Sequence, residues 1–254
     1  MAQTRKDQVR ELLKSIETGD PAPIAVVNQE QYIQHNPQTS EGSDGLEALF
    51  KRLSKTSPRV NIVRAFEDGD YVFAHTEYDF ANSTIGFEVF RFDGEHIVEH
   101  WDNIQKRQGP NASGRTMVDG PTVATDHALT ETNRKFVDAF VRDILIGRQL
   151  EKLEGYITEE CFMQHNPQIK DGLLAFCTAL DAKHNTSFAI DYGRSHRVLA
   201  EGNFVLSVCE GSLNGIRSSF YDLLRVDEGK IVEHWGTIEA IPPRHQWKND
   251  NGKF

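Results

Sequence analysis

The chain repeats itself. Gln34-His35-Asn36-Pro37-Gln38 returns as Gln164-His165-Asn166-Pro167-Gln168, 130 residues later (34 to 164), and both copies precede an Asp-Gly-Leu, at Asp44 and Asp171. Ile97-Val98-Glu99-His100-Trp101 returns as Ile231-Val232-Glu233-His234-Trp235, 134 residues later (97 to 231), so the offset drifts by four across a unit. Arg91 and Arg225 stand just before the two copies of this second motif. Solenoid repeats run to roughly 20–50 residues. A repeat this long is a domain, and the chain is constrained to two copies of one fold.

Each copy shows the same order of elements. Residues 5–18 carry Val9, Leu12, Leu13 and Ile16 at helical spacing, and residues 130–147 carry Phe136, Val137, Phe140, Val141, Ile144 and Leu145, with Thr130 as the expected N-cap. A second short helix leads to His35 and His165, and Asp44-Gly45-Leu46-Glu47 has the pattern of a capping box opening a third. Strand-forming runs follow at 60–66, 71–80, 85–92 and 96–105, rich in Val, Ile, Phe and Tyr and separated by turn residues such as Asp68-Gly69 and Asp93-Gly94. Helices followed by a meander of strands predict an α+β fold, helices packed on one face of a curved antiparallel sheet. Residues 1–108 form the expected first unit, the Gly-, Pro- and Ser-containing 109–128 a linker, and 129–254 a second unit with a C-terminal tail. Trp247 and Phe254 in that tail predict that it docks rather than dangles.

Composition narrows the function. With 38 acidic against 28 basic residues and a net charge of −10, the chain lacks the electrostatic footprint for nucleic acid or anionic membrane. No run of eighteen apolar residues and no signal-like N-terminal stretch occurs, which sets a cytoplasmic protein as the expectation. Cys161, Cys177 and Cys209 form no CxxC pair, and no HExxH, phosphate-cradling Gly-rich loop or Gly-x-Ser-x-Gly elbow is present. The expectation is therefore no metal and no cofactor.

The run Tyr32-Ile33-Gln34-His35-Asn36-Pro37 and the hairpin ending in Ile-Val-Glu-His-Trp resemble the SnoaL-like branch of the NTF2-like superfamily, here as a tandem pair covering nearly the whole chain. The resemblance implies two cone-shaped units, each a bent sheet wrapped by three helices around a deep pocket. It also implies an internal pseudo-dimer, with a homodimer as a further option. Members of this superfamily perform aldol condensation of polyketides, ketosteroid isomerisation, dehydration or epoxide hydrolysis, and some only bind a ligand or assemble. Fold alone does not choose among these.

Within such a pocket, chemistry rests on a carboxylate or imidazole made basic by apolar surroundings, with a donor for the enolate oxygen. Side-chain alternation puts Val98, His100 and Asp102 on one face of the last strand and Glu99 and Trp101 on the other. Asp102 or Glu88 is the candidate base, with His100 and His35 as orienting groups or donors and His75 as a further titratable neighbour. Glu88 needs a basic partner, and His35 and His75 are the candidates. In the second unit Asp102 is replaced by Gly236, leaving His165, Asp222, His234 and Glu210 as candidates. Tyr32, Trp101 and Trp235 are candidate pocket walls. The leading reading is a cofactor-free acid/base enzyme acting on a small apolar carbonyl compound by aldol condensation, isomerisation or dehydration; the alternative is a non-catalytic ligand-binding or assembly module.

Overall fold

The computed structural model of the chain describes residues 3–158, 162–181 and 188–254; Cys161 lies outside them. Two compact units emerge, and their boundaries differ from the expected ones. The first comprises Met1–Lys106 together with Ile241–Phe254, and the second is Arg107–Ala240. The segment between the two sheets is thus part of the second unit, and the C-terminal tail is part of the first.

In the first unit the helix α1 (Arg5–Thr18) opens at Thr4, whose hydroxyl accepts from the Asp7 amide at 3.1 Å, and closes at Gly19, left-handed at φ 71°. Its buried stripe of Val9, Leu12, Leu13 and Ile16 enters the core with Val60, Val72, Phe90 and Phe92. A short 3-10 turn at Ala22–Val26 leads to the two-residue strand β1 (Ile33–Gln34) and then to α2 (Gly42–Leu53). Four longer strands follow, β2 (Arg59–Asp68), β3 (Tyr71–Asp79), β4 (Ser83–Asp93) and β5 (His96–Lys106), in the sheet order β1-β5-β4-β3-β2. These four pair antiparallel in sequence order, whereas β1 runs parallel to β5 with Gln34 opposite His100. Two residues are too few to show a periodicity, so β1 leaves no strand signal in the sequence.

The second unit repeats this plan. The helix α3 (Thr130–Phe140) continues as a π-helical turn over Val141–Ile146, and α4 (Leu153–Tyr156) leads to β6 (Met163–Gln164) and α5 (Leu173–Leu180). The strands β7 (Ile190–Glu201), β8 (Phe204–Leu213), β9 (Ile216–Asp227) and β10 (Lys230–Ala240) form the sheet β6-β10-β9-β8-β7, with Gln164 opposite His234. Val137, Phe140, Ile144 and Leu145 pack with Phe176, Val205, Leu224 and Ile231. The fold is α+β in both units, as the order of elements predicts.

The helix starts depart from the expected caps. Asp44 sits inside the first turn of α2, where its charge suits the positive helix end, and Glu41 is the flanking residue. Asp171 precedes α5 and accepts instead from the Gln164 amide (3.0 Å) and the Arg115 guanidinium (2.7 Å). Thr130 is the first helical residue rather than the cap; its hydroxyl donates to His127 O and accepts from the Gly202 amide.

Residues 109–128, expected as a linker, are anchored on the second unit through Asn111. The Asn111 amide donates to Gln164 O (2.5 Å) and Ile169 O (2.8 Å), while its oxygen accepts from the amides of Ser113 and Arg115. Asn111 is 5% exposed, so removing its side chain strands buried backbone groups. Asn111→Ala is expected to cost the second unit about 2 kcal/mol, read as a lower urea midpoint at unchanged slope.

Candidate functional site

Alternation along β4 and β5 brings four side chains to one face: Glu88, Phe90, His100 and Asp102. Glu88 is paired directly with Asp102 and is therefore diagonal to His100, within reach of a long side chain. The His100 imidazole bonds the Glu88 carboxyl, Nε2 to Oε2 at 2.7 Å. Its Nδ1 lies 3.0 Å from Gln34 Oε1, an oxygen that already accepts from the Asn36 amide at 2.8 Å. Nδ1 therefore carries a hydrogen and donates it to Gln34. The Tyr78 hydroxyl donates to the other oxygen of Glu88 at 2.6 Å. Phe90 stacks on the imidazole at 4.6 Å.

These groups face a cavity of about 350 Å³. Its wall is mainly apolar, from Leu13, Ile16, Leu46, Leu49, Phe50, Leu53, Phe80, Phe90 and Ile104, and its polar residues are Asn36, Gln38, Thr39, Arg52, Tyr78, Thr84, Glu88, His100, Asp102 and Lys248. Helices α1 and α2 supply most of the apolar side and the sheet supplies the carboxyls and the imidazole.

The two carboxylates differ in electrostatics. Burial, the largest influence on Glu88, raises its carboxyl above the ordinary range against the opposing pull of His100. Burial would raise Asp102 too, but Lys253, His100 and the Asn36 amide outweigh it and hold Asp102 below the ordinary range. Lys253 Nζ lies 3.2 Å from Asp102 Oδ1 and 2.8 Å from its main-chain oxygen, and Asn36 Nδ2 is 2.5 Å from Oδ2. Asp102 is thus an anion held in place, and Glu88 is the more basic of the two carboxyls.

Glu88, His100 and Asp102 also offer atoms within 4.8 Å of one another, a spacing a metal ion tolerates. Their donor sets are otherwise engaged. Both imidazole nitrogens and both Asp102 oxygens have protein partners, and the Lys253 ammonium already supplies the positive charge. The residues present do not fit a metal centre.

The remaining predicted residues lie elsewhere. His35 is on the opposite face of β5, stacked on Trp101 at 4.7 Å, with Nε2 bonded to Glu99 (2.9 Å) and Nδ1 to Gly252 O (3.0 Å). Arg91 completes that cluster on Glu99. Trp101 is therefore a stacking partner of His35 rather than a wall of the cavity, and the partner of Glu88 is His100 rather than His35 or His75. His75 stacks on Phe87 at 4.3 Å, directed away from Glu88 by the alternation of β3. Tyr32 is buried beside Gln34, whose amide donates to its hydroxyl, and it does not line the cavity.

The second unit keeps the dyad in altered form. His234 Nε2 bonds Asp222 at 2.8 Å, and Gln164 meets His234 Nδ1. A tyrosine hydroxyl again reaches the carboxylate, but it is Tyr192, at 3.1 Å, from a different strand. Val60 pairs with Tyr78 in the first sheet and Tyr192 with Gly211 in the second, so the ring has changed sides of one cross-strand pair. A side chain at Gly211 would collide with Asp191 O at 2.0 Å, which fixes the exchange. His165 repeats the other cluster, stacked on Trp235 and bonded to Glu233, so Trp235 too is a stacking partner. Glu210 pairs with Arg217 and His196, away from Asp222. Where Leu49 lines the first cavity, its counterpart Phe176 puts its ring 5.8 Å from His234.

Sequence reasoning missed Gln34, Tyr78 and Lys253. The Gln of the repeated Gln-His-Asn-Pro motif was a usable signal for Gln34. Tyr78 had none, because its counterpart is Gly211.

Residues 9–100, most of the first unit's helices and sheet, match the SnoaL-like domain family. The match falls within the first unit, and the second unit repeats the first's order of elements and its motifs. Among solved structures, an NTF2-like protein of unknown function from Cytophaga hutchinsonii is similar at 17% identity, covering 41% of this chain and 93% of its own, with a TM-score of 0.37. IdmH of Streptomyces antibioticus, a proposed polyketide cyclase, is 14% identical over 41% of this chain and 93% of its own, TM-score 0.36. A proposed ketosteroid isomerase from Kribbella flavida is 20% identical over 45% and 84%, TM-score 0.37. No curated protein matches the sequence.

The ion pair at Asp102 gives a signed expectation. A carboxyl depressed in the folded state adds stability above its unfolded value, and this is lost as pH falls through the folded one. Asp102→Asn leaves the buried Lys253 ammonium without an anion and is expected to cost about 3 kcal/mol near neutrality. Urea unfolding at descending pH should show the gap between wild type and variant closing below the ordinary carboxylate range.

Proposed function

We propose that the first unit binds a small, mainly apolar carbonyl compound in its cavity and moves a proton on it with Glu88, without a cofactor. The observation that carries this reading is the Glu88–His100 bond at 2.7 Å, formed inside an apolar cavity and braced by the Tyr78 hydroxyl. Abstraction of a proton next to a carbonyl needs a base more basic than an ordinary carboxylate, which burial of Glu88 provides. His100, bonded to Glu88, relays or stabilises the proton taken up. Arg52 and Lys248, the cationic residues that line the cavity, would balance the charge of an enolate formed there. Aldol condensation, isomerisation and dehydration all begin with this step.

A second reading, a non-catalytic ligand-binding unit, draws support from the second unit. There Asp222 and His234 keep their bond although Phe176 stands against the imidazole, so the pair also serves as a strut between strands.

Native mass spectrometry of the full chain with a panel of small ketones tests the binding half of the proposal. The wild type is expected to retain a carbonyl compound. Leu49→Phe, which copies the second unit, should lose it at least tenfold, and Glu88→Gln should keep it. Equal retention by wild type and Leu49→Phe would place the ligand outside this cavity and overturn the reading.

A further inference from the structure

The tail contains a motif that the proposed function leaves unused. Asn249-Asp250-Asn251-Gly252-Lys253 and Asn111-Ala112-Ser113-Gly114-Arg115 share Asn, Gly and a basic residue at the same spacing, and each follows the last strand of a sheet. Both glycines are left-handed, at φ 86° and 80°. Both asparagines turn their amide onto the loop after the short parallel strand. Asn249 donates to Asn36 O (2.7 Å) and Thr39 O (3.0 Å), as Asn111 does to Gln164 O and Ile169 O. Both oxygens accept a backbone amide two residues on. The histidine of each Gln-His-Asn-Pro motif bonds a main-chain oxygen of the segment, His35 to Gly252 O and His165 to Thr116 O. One clasp has thus been kept twice.

The two clasps differ at the basic residue. Arg115 pairs with the half-exposed Asp171, at 2.7 Å. Lys253 is 3% exposed and reaches Asp102, a wall of the cavity. The second unit has Gly236 where the first has Asp102, and an added Cβ there would stand 3.1 Å from the Asp222 carboxylate. Among the described residues, a buried lysine occurs only in the unit that presents a carboxylate for it to meet. A structural clasp alone has no need of this, since the Arg115 clasp holds without it.

We propose that Lys253 is a positioning residue of the first unit's site: the Asn249–Gly252 clasp delivers its ammonium to Asp102, pins that carboxylate as the fixed anion, and so leaves Glu88 as the carboxyl that exchanges a proton. The last clause rests on the proposed function; the assignment of Lys253 to Asp102 does not. The charged and titratable groups around Asp102 include Lys253 from the tail, His100 on its own strand, Glu88 on β4, Tyr78 on β3 and Tyr32 before β1, and Arg52 of α2 and Lys248 of the tail line the same cavity. Among these Lys253 contributes the strongest opposite charge acting on Asp102.

The test is a carbon-13 NMR titration of the Asp102 and Glu88 carboxyls in the full chain. In Lys253→Met the Asp102 midpoint is expected to rise by at least one pH unit, a tenfold gain in proton affinity, and Lys253→Arg should restore most of the wild-type value. Asn249→Ala, which keeps the lysine but loosens the clasp, should raise it by less. It also serves where Lys253→Met does not fold. An Asp102 midpoint unchanged in the folded variants would overturn the proposal. A shifted Asp102 midpoint together with carbonyl chemistry indifferent to Glu88 would uphold the positioning role and defeat only the functional reading.

Discussion

The bond between His100 and Glu88 is the contact on which the first unit's site depends, and it exists because of a strand two residues long. β1 places Gln34 beside His100, and the Gln34 side chain fixes the imidazole by accepting at Nδ1. With that nitrogen committed, Nε2 has one direction left to face, towards Glu88. The diagonal geometry of an antiparallel pair sets the reach, and burial sets the basicity. The same arrangement in the second unit, with a shorter carboxylate and a tyrosine arriving from the neighbouring strand, shows that the hydroxyl on the carboxylate has been maintained through a change of supplier.

The two faces of β5 divide two kinds of histidine. His100 faces the cavity, bonded to Glu88. His35 faces away, stacked on Trp101 and bonded to Glu99, and burial lowers its basicity despite that glutamate. In the second unit Glu233, opposed by burial, is nonetheless held below the ordinary range by His165 and Arg225. These His-Glu-Arg clusters match in both units and serve to lock the turn against the sheet.

Much of this was legible in the sequence, and the reasons are local. The stripe of Val9, Leu12, Leu13 and Ile16 and the Gly-containing turns between strands specify their elements with residues close in the chain. The internal repeat specified the two units, and alternation along the last strand placed His100 with Asp102. What stayed hidden depends on distant contacts. The pairing of Glu88 with His100 rather than His35 needs the register of β4 on β5. The return of the tail to the first unit, and with it Lys253, needs a chain path that no local pattern encodes. Trp101 reads as a pocket wall from its aromatic bulk, yet the parity of its strand position turns it to the other face.

The central claim is that Glu88 exchanges a proton with a carbonyl compound held in the first cavity. Incorporation of deuterium from heavy water at the carbon beside the carbonyl of a retained ketone, followed by proton NMR, tests it most directly. The account predicts exchange catalysed by the wild type, slowed at least about 100-fold by Glu88→Gln and unaffected by Asp222→Asn. Exchange as fast in Glu88→Gln as in the wild type would contradict it.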